Sequence, residues 1–273
     1  LDEDGYVTSQ DNITKISGNK LDFSVSNIYG IATGILAQGS NKVTIDLQSA
    51  NGINFIAVSE QGDGAIGLDT ADGNIKLTST VGSNFIQGIA KDENAQGIGI
   101  QTENSDSPYT YSNRITLKSG LNNTVYGTST AVYNTGSDSI VKAIADNGNN
   151  NLLSDKDVAV QAVDKSQTYL TANNGLNMVQ TKNTEANAIN ADDSTVDLTG
   201  YQNAIVNGEY RVNTYGQGIA VLAANAADVR ATATDLNDIQ GAVQSTTKAN
   251  VTITGDSNHI RSAAVVKDES DVD

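Results

Sequence analysis

The 273-residue chain contains no cysteine, which excludes disulfides, thiolate metal sites and thiol nucleophiles. Tryptophan is also absent, and aromatic residues make up 5% of the chain. An ordinary globular core of this length holds more large side chains. One histidine, His259, confines any catalytic triad or multi-histidine metal site to its own neighbourhood, where no such constellation is visible. The one proline, Pro108, sits in ENSDSPYTYSN, the longest polar insertion, and reads as part of a loop. Basic residues number 16 against 32 acidic ones, a net charge of −16. Charge of that sign excludes binding to nucleic acid, which needs clustered cations, and argues against docking on anionic lipid. No apolar run reaches the length of a membrane-spanning helix, and the start LDEDGYVTSQ has neither an initiator Met nor a signal peptide, so the chain reads as an excised or processed fragment.

What is present is a repeat. A small residue followed by Ile or Val recurs at Gly30-Ile31, Ala65-Ile66, Gly97-Ile98, Ala131-Val132, Ala159-Val160, Ala188-Ile189, Gly218-Ile219, Ala242-Val243 and Ala264-Val265, with spacings of 22 to 35 residues. Between these doublets lies an alternating apolar pair: Val43-x-Ile45, Ile75-x-Leu77, Ile115-x-Leu117, Val141-x-Ala143, Val196-x-Leu198, Val229-x-Ala231 and Val251-x-Ile253. Each pair is followed by Asn-x-(Ile/Val/Leu), at Asn51, Asn84, Asn123, Asn150, Asn203, Asn237 and Asn258; Asn177 adds an eighth behind Thr168-Tyr169-Leu170. The order is strand, turn, Asn, short strand, doublet strand.

Such a unit, made of short period-2 segments and Gly, Asn, Asp and Ser turns, cannot bury its own apolar face. Stacking of successive units buries it. The pattern therefore predicts an all-β right-handed parallel β-helix (β-solenoid) of about nine turns. Residues 19–266 form the repeats, 1–18 an N-terminal edge or cap, and 267–273 an acidic tail or truncation point. Inward Asn side chains can run an amide hydrogen-bond ladder at a turn. A left-handed hexapeptide helix lacks its strict six-residue pattern here, and a β-sandwich gives no reason for nine similar doublets. The Ala-rich stretch 220–233 has the composition for a helical turn, although the repeat order runs through it.

The run NIYGIATGILAQGSNKVTIDLQSANGINFIAVSE (27–60) and the recurrences ending in ANVTITGDSNHIRSAAVV (249–266) resemble bacterial autotransporter passenger domains, surface β-helices of Gram-negative bacteria. The resemblance is one of repeat grammar and composition. It implies export across the outer membrane, a cell-surface location, and a role in adhesion, self-association or biofilm formation. The family's C-terminal membrane barrel has no counterpart in KDESDVD, so the expectation is a passenger or part of one, not inserted in the membrane.

The candidate binding residues are tyrosines and one arginine: Tyr109 and Tyr111 in the long loop, and Tyr201, Tyr210, Arg211 and Tyr215 around NAIVNGEYRVNTYGQG. Aromatic faces stack on sugars and are frequent at protein interfaces. The expected partner is another copy of the chain, or a host or bacterial surface protein or glycan. No catalytic residue, metal site or cofactor is expected, and the chain is read as a non-enzyme. Asp2-Glu3-Asp4 reads as a solvated terminus rather than a calcium site, Asp192-Asp193 near Asp197 as a solvated turn, Asp63, Asp69 and Asp72 as polar-turn residues, and His259 as an outward surface side chain. The competing reading is a polysaccharide-active β-helix, a lyase or tailspike-type glycosidase. Sixteen scattered basic residues and the lack of tryptophan give its groove little support.

Overall fold

A computed structural model describes residues 13–103, 113–210 and 215–262, and of 39–42 the backbone alone. Among these residues there are 21 strands and no helix. Every inter-strand pairing is parallel, and each strand pairs with its counterpart one turn away. The chain winds through three flat faces per turn, here called A, B and C in chain order.

On face A, residues 13–18, 44–49, 74–79, 114–119, 140–145, 167–172, 195–200, 228–233 and 250–254 stack in succession. Face B stacks residues 21–27, 53–59, 84–90, 123–127, 150–154, 177–181, 203–207, 237–240 and 258–261. Face C stacks 31–38, 64–71, 96–103, 130–135, 160–163, 189–192, 221–224 and 243–245. Faces A and B thus have nine rungs each and face C eight. The expected nine turns become eight closed turns and a partial ninth, and seven of them have a neighbour on both sides. The doublet meant to close the ninth, Ala264-Val265, lies outside the described residues, as does the tail 267–273.

The strands form where apolar and polar residues alternate, because successive side chains point into and out of the coil. In turn three Ile75, Leu77 and Ser79 are buried while Lys76 is exposed. Equivalent inward residues pile into columns. Leu47, Leu77, Leu117, Ala143, Leu170, Leu198 and Ala231 form one, and Phe55, Ile86, Val125, Leu152, Val179, Ile205 and Ile239 another, all at most 2% exposed. Each buried Leu, Ile or Phe contributes about 1.5–3 kcal/mol relative to exposure. At the open first turn the column ends in Phe23, stacked on Phe55 with ring centroids 4.5 Å apart and planes 3° from parallel. On face C, Gly67 lies so close to the next turn that a Cβ there would sit 2.6 Å from the Gly99 carbonyl oxygen.

The amide ladder is present. Asn84, Asn123, Asn150, Asn177, Asn203 and Asn237 each donate from Nδ2 to the Oδ1 of the next asparagine, ending on Asn258, at 2.7–2.9 Å. The second Nδ2 hydrogen of each goes to a face A carbonyl of the following turn, from Lys118 for Asn84 to Thr254 for Asn237, at 2.8–3.0 Å. Ser79 Oγ caps the first Oδ1 at 2.6 Å. All six amide dipoles point the same way along the rod, so each hydrogen bond polarises the next.

Three sequence expectations shift. Asn51 is not a rung: it lies exposed at the corner and donates to Asn19 Oδ1 at 2.7 Å, and Ile53 holds the inward place opposite Asn84. The face A pair of turn two is Ile45-x-Leu47 rather than Val43-x-Ile45, since Ile45 pairs with Ile75. The doublets slip by two residues, because Ile66 pairs with Ile98 but Val132 pairs with Ile100. Period-2 alternation leaves these slips invisible in the sequence, because a shift of two residues returns every side chain to the same side. The stretch 220–233 is strand on both sides of a turn, with no helix.

Candidate functional site

The outward columns are the rod's chemical surface, and each face differs. On face A the central outward position is Asp46, Lys76, Thr116, Lys142, Tyr169, Asp197 and Arg230 over turns two to eight. Arg114 occupies the flanking column next to Lys76 and Lys142. Two shallow depressions join there. One, of about 310 Å³, is lined by Asn74, Lys76, Arg114 and Thr116 among others. The other, of about 520 Å³, adds Ile140, Lys142, Ile144 and Tyr169. Together they make a cationic strip with an apolar border across turns three to six.

Among the described residues six other cations are paired with carboxylates. Lys91 pairs with Glu60 at 2.7 Å, Lys182 with Asp155 at 2.7 Å, Lys118 with Asp146 at 4.0 Å, and Arg230 with Asp228 beside it. These are exposed pairs of small energetic weight. Lys76, Arg114 and Lys142 have no such partner among the described residues.

Face C carries a cleft of about 240 Å³ lined by Gln101, Glu103, Tyr133, Asp157 and Gln161 among others. Gln101 Nε2 donates to Glu103 Oε1 at 2.5 Å. Asp69 lies one turn away, in register with Gln101. Burial pushes its carboxyl up to about 6, and the nearby Glu103 charge adds to the rise. A carboxyl whose pKa is raised toward neutrality next to another carboxylate is the raw material of acid–base chemistry. Here the parts are dispersed: Asp69 is not among the residues lining the cleft, and Asp157 Oδ1 accepts the Val158 N–H at 2.9 Å within its own turn.

No family model, curated protein or solved structure matches the chain. Its functional reading therefore rests on these surfaces.

Face B is covered at turns seven and eight. Ala204, Val206, Asp238 and Gln240 occupy outward positions yet are at most 4% exposed. Gly216 lies against this face, its N–H donating to the Arg261 carbonyl at 3.0 Å and its backbone packed on Gln240. On the same face Arg261 Nη1 bonds Asp238 Oδ1, and Gln240 Nε2 donates to Asp238 Oδ2 at 3.1 Å. Tyr210 lies here. Burial and then the Asp238 charge raise its hydroxyl pKa, and Arg261 opposes them. Tyr215 is 67% exposed and lines a small cleft with Glu209 and Gly216. Tyr201 is separate, 46% exposed at the A–B corner, where the pairing register shifts. Three candidates, Tyr109, Tyr111 and Arg211, lie outside the described residues, as does Asp2-Glu3-Asp4.

Of the acidic candidates expected in turns, Asp63 and Asp193 lie in turns, whereas Asp69, Asp72 and Asp197 lie within strands and Asp192 ends one. Asp192 accepts from Asn225 Nδ2 at 2.8 Å, Asp193 adopts φ 43° at the C–A corner, and Asp197 accepts from Thr199 Oγ1 at 3.0 Å on face A. Asp63 is exposed, whereas Asp72 is buried and its backbone N–H donates to Asn113 Oδ1 at 2.7 Å. His259 is exposed, with Nδ1 2.9 Å from Arg261 Nη2. Sequence reasoning missed the face A strip. Its signal lay in the middle letters of the apolar pairs, Ile75-Lys76-Leu77 and Val141-Lys142-Ala143, which become neighbours only once the turns are stacked.

Proposed function

We propose that this chain is an adhesive rod from an exported bacterial surface protein of the autotransporter passenger type, and that it binds other copies or another surface through its outward columns. The observation that carries this reading is the unpaired cationic strip of face A on a molecule of net charge −16. One outward side chain per turn makes many modest contacts along a line, and dense display on a cell multiplies them by avidity.

The test is clumping of beads coated with the chain at physiological salt, with and without calcium, and with excess soluble chain as competitor. Clumping that the competitor blocks supports self-association. Binding to a surface protein or glycan without clumping supports the heterologous form. If the beads neither clump nor bind any surface, the adhesive reading fails.

The enzymatic alternative is favoured by Asp69, whose carboxyl titrates near 6 beside Glu103. It requires release of reducing ends or unsaturated products from an acidic polysaccharide, lost in Asp69→Asn.

A further inference from the structure

The faces follow one another around each turn, so the corner between B and C lies across the rod from face A. Face A presents Lys76, Arg114 and Lys142 on three successive turns. The opposite corner presents Asp63 in turn two and Asp92 and Glu93 in turn three, all exposed. Lys91 beside them is held by Glu60 at 2.7 Å. Lys156 Nζ reaches the Glu93 carbonyl at 3.4 Å, leaving the carboxylate without a cation among the described residues.

The cations lie on three successive turns and the carboxylates on two, and one strand spacing of about 4.8 Å separates the turns of both sets. Copies of a strongly acidic chain repel one another, so they touch only where opposite charges face. Ile140, Ile144 and Tyr169 border the strip and supply apolar surface that contact would cover.

We infer that the cationic strip of face A docks the acidic B–C corner of a second copy of this chain, its cations on successive turns facing the carboxylates on two successive turns of that corner. This rests on the self-association reading above and names the surfaces that perform it. Because strip and corner lie on opposite sides, each docked copy still offers one of each. The contact is heterologous and open-ended, and it builds lateral arrays rather than closed dimers.

The experiment is a charge swap, read by bead clumping and by sedimentation of the soluble chain. One variant reverses the strip: Lys76→Glu, Arg114→Glu and Lys142→Glu. The other reverses the corner: Asp63→Lys, Asp92→Asn and Glu93→Lys. Asparagine at 92 retains the acceptor for the Asn94 N–H, which Asp92 Oδ1 takes at 2.8 Å. Far-UV circular dichroism and melting of each variant confirm that these surface changes leave the fold intact. The expected result is that each variant alone loses clumping about tenfold or more, and that an equal mixture of the two regains it, since their reversed charges complement each other. Wild-type clumping weakens as salt rises and the screening length shrinks from about 10 Å at 0.1 M to about 3 Å at 1 M.

Folded single variants that still clump, or a mixture that stays dispersed, overturn the inference while leaving self-association itself standing. Clumping of the wild type only after an acidic polysaccharide is added assigns the strip to that glycan and also overturns it. A wild type that clumps under no condition removes the self-association reading on which it rests.

Discussion

Asn150 sits in the middle of the amide ladder, and its replacement by alanine measures what the ladder is worth. The side chain is fully buried. Its Nδ2 donates to Asn177 Oδ1 and the Thr171 carbonyl, both at 2.9 Å, and its Oδ1 accepts from Asn123 Nδ2 at 2.9 Å. Alanine deletes these hydrogen bonds, and a fourth, longer one from Nδ2 to the Ala143 carbonyl at 3.3 Å, and strands a donor above and acceptors below, where no water reaches. At about 1–3 kcal/mol for each buried group left unsatisfied, the loss is about 4 kcal/mol. That is a large share of an ordinary domain's stability. Asn258, the last rung, is exposed and serves one neighbour, accepting from Asn237 Nδ2 at 2.7 Å. Water can replace it, so Asn258→Ala costs about 1 kcal/mol or less. Urea unfolding followed by far-UV circular dichroism compares the two variants in one background. Equal losses for Asn150→Ala and Asn258→Ala, or a loss below about 1 kcal/mol for Asn150→Ala, refute the reasoning.

Three further outcomes follow from single sites. Asp69 binds its proton more tightly folded than unfolded, so its contribution to stability falls as pH rises from about 4 to 6, by up to about 3 kcal/mol; Asp69→Asn lacks that fall, so the wild type loses stability relative to the variant between pH 4.5 and 7, as urea midpoints will show. Arg261→Ala leaves Asp238 buried at 4% exposure without the cation it pairs with, a loss of about 3 kcal/mol in urea unfolding; a loss below about 1 kcal/mol contradicts the ion-pair account. Thr70 is fully buried and its hydroxyl has no hydrogen-bond partner among the described residues, so Thr70→Val is neutral or raises the melting temperature, whereas a clear drop reveals an acceptor.

The fold was legible because its code is local. Ile75-x-Leu77 and Val141-x-Ala143 announce strands by alternation, and Asn84, Asn123, Asn150, Asn177, Asn203, Asn237 and Asn258 announce a recurring inward amide. The exact stack was not, since two-residue slips at Val43 and at the Ala131-Val132 doublet leave the pattern of sides unchanged. The surfaces were harder still. Lys76, Arg114 and Lys142 are separated by 38 and 28 residues in the chain and meet only through the stacking register. The tyrosines drew attention by sequence proximity, yet Tyr201 stands at a corner while Tyr210 is tucked against Asp238 and Arg261. The cover over face B was equally hidden, because nothing in Ala204, Val206, Asp238 or Gln240 marks an outward position as buried.

The account depends on that register, and the lack of native cysteine allows it to be tested directly. Lys76, Thr116 and Lys142 are consecutive members of one face A column, Thr116 in register with each of the others. Adjacent turns place their Cα atoms about 4.8 Å apart, within disulfide reach, while two turns exceed it. Lys76→Cys/Thr116→Cys and Thr116→Cys/Lys142→Cys are therefore expected to form intramolecular disulfides under mild oxidation, visible as a shift in gel mobility that reductant reverses, and Lys76→Cys/Lys142→Cys is not. Failure of both adjacent pairs, or efficient closure of Lys76→Cys/Lys142→Cys, would contradict the stacking that assembles the strip.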